Sequence, residues 1–280
     1  MQGSNPHAIP SVSISALISS LLKNRSLILQ MASREVVGRY RGSVLGLAWS
    51  FFHPVFMLAV YTFVFSEIFG MRWGGAQAAG DKVQFALMLF VGMIVFGLFS
   101  EVLNRAPTII LNNVNYVKKV VFPLEILPAI ALAAALFHAA ISVLVLMAAF
   151  AVVHSQLPLT AMLFPLVLLP LVILTLGLSW MLASLGVFVR DIGQTIGIAM
   201  SVLMFLSPVF YPMSAVPQRF QAYILANPLT FIIEQAREVL VLGHMPDWSG
   251  LAIYSLVSLC VAWGGYAWFQ KTRKGFADVL

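Results

Sequence analysis

The sequence predicts an all-α integral membrane protein, and two observations support this fold class. Hydrophobic residues make up 61% of the 280 residues and charged residues only 9%, which leaves too little polar surface to solvate a globular fold of this size. The uncharged runs are long and do not alternate with a period of two, so helices are expected and a β-barrel is not. The net charge of +6 is therefore attributed to Lys and Arg residues that determine the membrane topology. No nucleic acid is expected among the partners.

Residues 1–43 are predicted to form a cytoplasmic tail and an amphipathic helix. From Ile14 onward, apolar residues recur at helical spacing, and the two cations Lys23 and Arg25 interrupt them. Such a helix is expected to lie along the cytoplasmic interface of the membrane, with a solvated surface helix as the alternative. No Lys or Arg precedes Lys23 and no small-residue cleavage site follows an apolar core, so we expect the N-terminus to be retained.

The first membrane span is predicted directly after a charged segment, residues 34–41. Residues 42–66 contain no Lys, Arg, Asp or Glu, and roughly 20 apolar residues suffice to cross the hydrocarbon. Lys and Arg collect on the cytoplasmic side of a crossing. The charged segment therefore sets the direction of this span.

Residues 44–280 are predicted to form one transmembrane domain of six helices. The uncharged stretch 126–189 is far longer than one span requires, so it is divided at the HSQLP segment, residues 154–158. The predicted spans cover approximately residues 44–69, 83–103, 124–153, 159–189, 192–211 and 248–270.

Two short segments between spans five and six are predicted to form a helical hairpin. Residues 216–225 and 229–242 flank Asn227-Pro228, and neither is long enough to cross roughly 30 Å of hydrocarbon. A re-entrant or interfacial hairpin is expected there, because such segments are tolerated where they are buried in protein or line a cavity.

The distribution of cations predicts that both termini are cytoplasmic. With six spans, only four of the 16 Lys and Arg residues fall outside the cytoplasm, and Arg72 lies in a loop predicted over residues 70–82. This bias agrees with the enrichment of cations in cytoplasmic loops. The four are Arg72, Lys82, Arg219 and Arg237.

Motifs for catalysis are absent from the sequence, so an enzyme is not expected. There is no HExxH motif and no Walker A phosphate loop. Glu67, Glu101 and Glu125 lie close to span ends, whereas coupling to an ion gradient usually needs a charge mid-membrane, which costs at least about 2.5 kcal/mol. His53 and His138 remain as candidates for an ion role, with helix packing as the alternative.

Transport by this chain would then draw its free energy from a separate ATPase docked on the cytoplasmic side. The N-terminal helix, residues 34–41, residues 104–122 and the Arg190-Asp191 turn are short cytoplasmic elements suited to such a contact. The alternative is that their cations determine topology and nothing more.

Aromatic residues form a stripe at helical spacing on the first span. Such rings pack well in helix interfaces or against lipid, which is one explanation. The other is a conduit wall on which sugars slide, because aromatic faces suit the C–H faces of sugars. The candidate channel residues are Trp49, Phe52, Phe56 and Phe63 on span one, with Phe205, Phe210 and Tyr211 on span five.

Five motifs give the chain a family likeness, from about Leu21 to span six. Together they resemble the ABC-2 type permeases that export polysaccharides, in particular the O-antigen permease of Gram-negative bacteria, with teichoic-acid and capsule permeases as relatives. The motifs are RYRGSVLGLAWSFFHPV (39–55), NYVKKVVFPLEILP (115–128), VRDIGQ (189–194), SPVFYP (207–212) and NPLTFIIEQAR (227–237).

The resemblance implies a homodimer of this chain with two ATP-binding subunits in the bacterial inner membrane. The partner subunits would bind ATP and Mg, and this chain would carry no cofactor. The substrate would be a polysaccharide on an undecaprenyl-diphosphate lipid, passed through a channel between the two permease copies. An ABC-2 exporter of a drug or small lipid, and a membrane scaffold or receptor, are the remaining alternatives.

The resemblance also implies roles for charged and polar residues at the two membrane faces. Arg39 and Arg41 lie where an anionic diphosphate headgroup would meet guanidinium groups at the cytoplasmic entrance. The residues expected to contact the ATPase are Glu35, Asn112, Asn113, Lys118, Arg190 and Asp191. The residues expected in a periplasmic gate are Arg219, Glu234, Arg237 and Glu238.

Overall fold

A computed structural model of the protein describes residues 12–68, 82–118, 122–154 and 156–280. The predicted N-terminal tail, most of the loop around Arg72 and Lys119 lie outside these ranges. The regular elements within them are helices, which confirms the all-helical class. The α-helices are α1 (Ile14–Lys23), α2 (Arg25–Arg39), α3 (Trp49–Tyr61), α4 (Lys82–Arg105), α5 (Val114–Lys118), α6 (Ile126–His154), α7 (Phe164–Phe188), α8 (Ile192–Leu206), α9 (Gln218–Leu225), α10 (Pro228–Arg237), α11 (Trp248–Thr272) and α12 (Phe276–Val279).

Five helical segments of the described ranges are long and apolar enough to cross a membrane. They agree with five of the six predicted spans, and they cover Gly46–Phe65, Val83–Thr108, Ile126–His154, Leu159–Phe188 and Trp248–Val279.

The predicted fifth span is the exception. Helix α8 has 15 residues, about 22 Å at 1.5 Å per residue, which is short of the roughly 30 Å hydrocarbon thickness. It ends at Leu206 because Ser207, which precedes Pro208, is extended, with φ −92° and ψ 147°; proline disfavours the helical conformation in the residue before it. A sixth crossing therefore stays a prediction.

The first span changes its helical geometry along its length. It begins with a 3₁₀ turn at Gly46–Ala48, continues as α3 and becomes a π-helix at Thr62–Ile68. The hydroxyl of Thr62 donates to the carbonyl of Leu58 over 2.8 Å. Wide turns of this kind are frequent at functional sites.

Helix α4 lies at the centre of the bundle and α3 at its edge. In the most apolar 18-residue stretch of the segment that contains α4, 78% of the residues are buried within the chain, against 11% in the segment that contains α3. Helices α3, α6, α7 and α10 all contact α4. Most of the α3 surface is therefore open to lipid, to a substrate or to a second chain.

Helices α7 and α11 cross at two glycines that allow their backbones to touch. A Cβ atom on Gly265 would lie 2.0 Å from the carbonyl oxygen of Gly177, and one on Gly177 would lie 2.5 Å from the Cα of Ala262. Both positions therefore require glycine. Such small-residue contacts are common between helices in membranes.

The predicted N-terminal amphipathic helix consists of two helices that meet at Asn24. Leu17 and Leu21 of α1 pack against a buried cluster that includes Trp180 and Phe269, while Ile18 is 52% exposed. A second set of α1 side chains therefore remains uncovered by the rest of the chain. The position of α1 at the membrane interface stays a prediction.

Helices α9 and α10 lie where the two short segments were predicted. Asn227 caps α10, because its side-chain oxygen accepts from the backbone N–H of Leu229 over 2.9 Å. Ile232 and Ile233 of α10 are fully buried in the main core. Helix α10 is thus anchored in the bundle, and the re-entrant or periplasmic position of the pair stays a prediction.

Candidate functional site

A cavity of about 500 Å³ lies between α3, α4 and α6. It contains one predicted headgroup residue, Arg39, and one predicted channel residue, Trp49. Both histidines considered for an ion role, His53 and His138, also line it. Its remaining lining residues are Tyr40, Ser50, Pro54, Met57, Tyr61, Phe90, Met93, Ile94, Gly97, Leu98, Glu101, Ala135, Ala139 and Ser142.

Alternating charges connect the mouth of this cavity to the N-terminal helices. Arg39 pairs with Glu101, and Arg105 pairs with Glu35. Arg105 also lies 3.8 Å from Glu101, one helical turn away. These four residues, the ion-pair network, join α2 to α4.

A polar groove of about 410 Å³ lies on the other side of the ion-pair network. It is lined by Glu35 and Arg105 together with Asn112 and Asn113. The amide of Asn113 donates to the carbonyl of Ile109 over 2.8 Å and so orients this side chain. Three of the six residues predicted to contact an ATPase therefore lie in one groove.

The other three predicted contact residues lie apart from the groove. Lys118 is exposed on α5, and Arg190 and Asp191 are exposed in the turn between α7 and α8. Their relation to a partner stays a prediction.

The aromatic stripe of the first span is divided between two environments. Trp49 lines the cavity. Phe56 and Phe63 are 67% and 60% exposed, and Phe52 is exposed as well. His53 and Met57 lie on the cavity side of α3, so the exposed rings form a separate outward face.

The predicted aromatic partners of span five lie close to the end of span one. The Phe210 ring stacks on Phe65 of the π-helix and contacts Phe205, with ring centroids 5.9 Å apart in both cases. The Tyr211 hydroxyl donates to the carbonyl of Phe205 over 3.1 Å. Phe205 itself is 65% exposed.

The second predicted headgroup residue, Arg41, lies outside the cavity. It is exposed in the turn after α2, followed by Gly42 with φ 85°. Among the described residues, no ion pair is formed by Arg41. Arg39 and Arg41 are thus in different environments.

The predicted gate residues also divide into buried and exposed groups. Arg237 is 1% exposed, donates to the carbonyls of Met88 and Val209 over 3.0 Å each, and pairs with Glu234 at 2.7 Å. Burial lowers the pKa of Arg237 to about 10, while Glu234 acts in the opposite direction. The guanidinium therefore remains charged at neutral pH.

The other gate candidates are accessible. The Arg219 guanidinium lies 4.7 Å from the ring centroid of its neighbour Phe220. Glu238 lies 2.7 Å from the imidazole of His244. The gate role of these residues stays a prediction.

Sequence reasoning missed a polar cluster that joins both ends of the chain. Glu125 accepts hydrogen bonds from Ser20 of α1 over 2.8 Å and from Arg273 over 2.9 Å. Its backbone carbonyl accepts from the indole of Trp180 over 2.8 Å. The cations near the C-terminus indicate a cytoplasmic end, and only the structure brings Arg273 to Glu125.

Known proteins match this chain over most of its length. The protein family described as ABC-2 type transporter matches residues 26–241. The O-antigen export system permease protein RfbA of Myxococcus xanthus is 28% identical, covering 94% of this chain and 99% of the relative. The protein of the same name from Klebsiella pneumoniae is 23% identical (91% and 95%). The polysialic acid transport protein KpsM of Escherichia coli is 25% identical (86% and 91%).

Proposed function

Since the chain belongs to the ABC-2 type transporter family, we propose that it is the transmembrane subunit of an ATP-driven polysaccharide exporter. The substrate is a polysaccharide carried on an undecaprenyl-diphosphate lipid, and it crosses the bacterial inner membrane. Relatives that cover nearly the whole chain are named for the export of O-antigen and polysialic acid. The exposed aromatic face of α3 is the observation that carries this proposal.

The conduit lies between two copies of the chain. Helix α3 is only lightly covered within its protomer, and its exposed rings Phe52, Phe56 and Phe63 are large apolar surfaces that a second copy or a glycan would cover. Aromatic rings give many weak contacts to sugar faces, which permit passage without trapping the polymer. Phe205 and Tyr211 extend this surface.

The chain itself is a non-catalytic subunit, and a separate ATP-binding subunit binds ATP and Mg and hydrolyses the nucleotide. The groove that contains Glu35, Asn112 and Asn113 receives part of that subunit. Its polar lining supports this role, because interfaces that assemble and move are more polar than a protein core. Lys118, Arg190 and Asp191 make further contacts.

The membrane topology follows from the same proposal. The chain crosses six times with both termini in the cytoplasm, and α8 together with residues 207–211 completes the fifth crossing. Helices α1 and α2 lie at the cytoplasmic interface, and α9 and α10 form a re-entrant gate on the periplasmic side. The exposed apolar residues Ile14, Ile18 and Leu22 of α1 support its contact with lipid.

Co-purification tests the assembly. The tagged chain is expected to isolate an ATP-binding subunit in equal amount, and Asn112→Cys is expected to cross-link to it, whereas Ser214→Cys, on the opposite side in the proposed topology, is the control. Isolation of the chain without any ATPase would contradict the proposal. A scaffold or receptor would give that result.

A capsule polysaccharide is the second candidate for the substrate, because relatives named for polysialic acid transport cover 86% of this chain. Deletion of the gene distinguishes the two. Loss of O-antigen from surface lipopolysaccharide supports the first candidate, and loss of capsule with intact lipopolysaccharide supports the second.

A further inference from the structure

The cavity between α3, α4 and α6 has a polar end and an apolar end. Arg39, Tyr40 and Glu101 line its mouth beside the ion-pair network, while Phe90 and Ile94 line its depth. From Glu101 to Phe90, α4 rises about 16 Å at 1.5 Å per residue. The cavity therefore extends about 16 Å along α4, from a charged end to an end lined mainly by apolar side chains.

A glycine that packing does not require widens this cavity. Gly97 lies inside α4 and lines the cavity, and a Cβ atom there would have no heavy atom within 4 Å. Glycine inside a helix costs about 1 kcal/mol relative to alanine. Gly177 and Gly265 allow a close contact between two helices. Gly97 makes no such contact, and the absence of its side chain instead leaves empty space in the cavity.

The mouth carries one guanidinium, one carboxylate and an unsatisfied polar atom. Arg39 lines the mouth and pairs there with Glu101, so its guanidinium is the cationic group that faces this cavity. The Nε2 atom of His138 is buried without a hydrogen-bond partner in the described part of the chain. Buried polar atoms of this kind are usually satisfied by water or a ligand.

We propose that the cavity binds a phosphate-bearing lipid within each protomer. One hydrocarbon chain of the lipid lies along α4 past Gly97, and its phosphate lies at Arg39, where it competes with Glu101 for the guanidinium. The volume of about 500 Å³ falls within the usual range for ligand sites, about 300–1,000 Å³. For one source of this lipid, the carrier of the exported polymer, the inference rests on the proposed function. A membrane phospholipid offers the same phosphate and chain.

Native mass spectrometry of the intact complex tests this site. The permease and its ATP-binding partner are purified in detergent and titrated with a polyprenyl monophosphate, and retained lipid is counted per permease protomer. We expect Gly97→Leu to weaken retention at least about tenfold, because the leucine fills the path of the hydrocarbon chain. Gly264→Leu on α11 is the matched control, since a Cβ there also meets nothing within 4 Å and Gly264 does not line the cavity.

A headgroup variant tests the polar end separately. Arg39→Gln is expected to weaken retention of the monophosphate roughly tenfold, the loss of one charged hydrogen bond, and to leave the weaker retention of the uncharged polyprenol unchanged. Competition with phosphatidylglycerol identifies the source of the lipid. Displacement by it indicates a membrane phospholipid, and its failure to displace indicates the carrier lipid; either result supports the site.

Equal retention by the wild type and Gly97→Leu, or no retention by the wild type, would overturn the inference. Met57→Trp, which fills the cavity from α3, replaces Gly97→Leu if that variant does not assemble. The proposed function is tested independently of this lipid site. Export without lipid retention contradicts only the cavity site, whereas lipid retention by a chain that isolates no ATPase contradicts only the exporter.

Discussion

Arg237 is a buried guanidinium whose partners come from three parts of the chain. It bonds to Met88 on α4, to Val209 after α8 and to Glu234 on its own helix. Its partner on α4 lies 149 residues away in sequence. The family resemblance assigned Arg237 to a periplasmic gate, and nothing local in the sequence indicates that distant carbonyls surround it.

Arg237→Ala is expected to destabilise the protein by about 3 kcal/mol or more, since breaking a buried charged network leaves its other members unpaired. Thermal unfolding of the purified protein in detergent measures the loss. Arg219→Ala is the control, because Arg219 is exposed and its contact with the Phe220 ring contributes roughly 0.5–1 kcal/mol. Equal unfolding temperatures for the two variants would contradict the structural role of Arg237.

The exposed rings of α3 give a second test at the residue scale. Phe56→Ala with Phe63→Ala is expected to lower the export rate severalfold while leaving the unfolding temperature nearly unchanged, because both rings are more than half exposed. Phe51→Ala is the control, since Phe51 is also exposed but lies off this face of the helix. Normal export by the double variant, measured as surface glycan over time, would return these rings to a packing or lipid-facing role.

At the scale of elements, the sequence predicted most helices well because the bilayer imposes a length on every uncharged run. The break between spans three and four is an example, since α6 ends at His154, within the predicted segment. At two other boundaries, single residues end a helix where hydrophobicity alone does not predict an end. Pro208 ends α8 early, and the N-terminal helix is interrupted at Asn24, whose side-chain amide donates back to the carbonyl of Ser20 over 2.8 Å.

The Glu125 cluster predicts that the C-terminal segment holds α1 in place. Arg273→Gln removes a charged partner of Glu125 at 2.9 Å, which is expected to cost about 2 kcal/mol in this largely buried setting. Hydrogen exchange is expected to rise in α1, because Glu125 also accepts from Ser20. Lys274→Gln is an exposed neighbouring control, and unchanged exchange of α1 in Arg273→Gln would show that the cluster does not anchor it.

At the scale of the whole molecule, the predicted direction of each crossing rests only on the distribution of Lys and Arg residues along the sequence. Single cysteines are introduced in a Cys260→Ser background and labelled in spheroplasts with a membrane-impermeant maleimide. Ser214→Cys, after α8, is expected to react from outside, and Asp191→Cys, before α8, only after lysis. Equal labelling of both positions from one side would mean that α8 does not cross the membrane.

The candidate site was only partly predictable at this scale. Family likeness and cation distribution suggested Arg39 and Glu35 as functional residues, but the cavity and the groove exist only because α2, α3, α4 and α6 meet. The ion-pair network between α2 and α4 joins residues more than 60 positions apart in the sequence, such as Arg39 and Glu101. Sequence periodicity describes one helix at a time, so it cannot reveal a cavity that forms where four helices meet.

Loss of the chain in living cells tests the central claim most directly. In a strain that lacks this gene, lipid-linked polysaccharide is extracted from the cytoplasmic side of the inner membrane and surface polysaccharide is measured in parallel. We predict accumulation inside and loss at the surface, both reversed by the wild-type gene. Normal surface polysaccharide with no internal accumulation would contradict the assignment of this chain as a polysaccharide exporter.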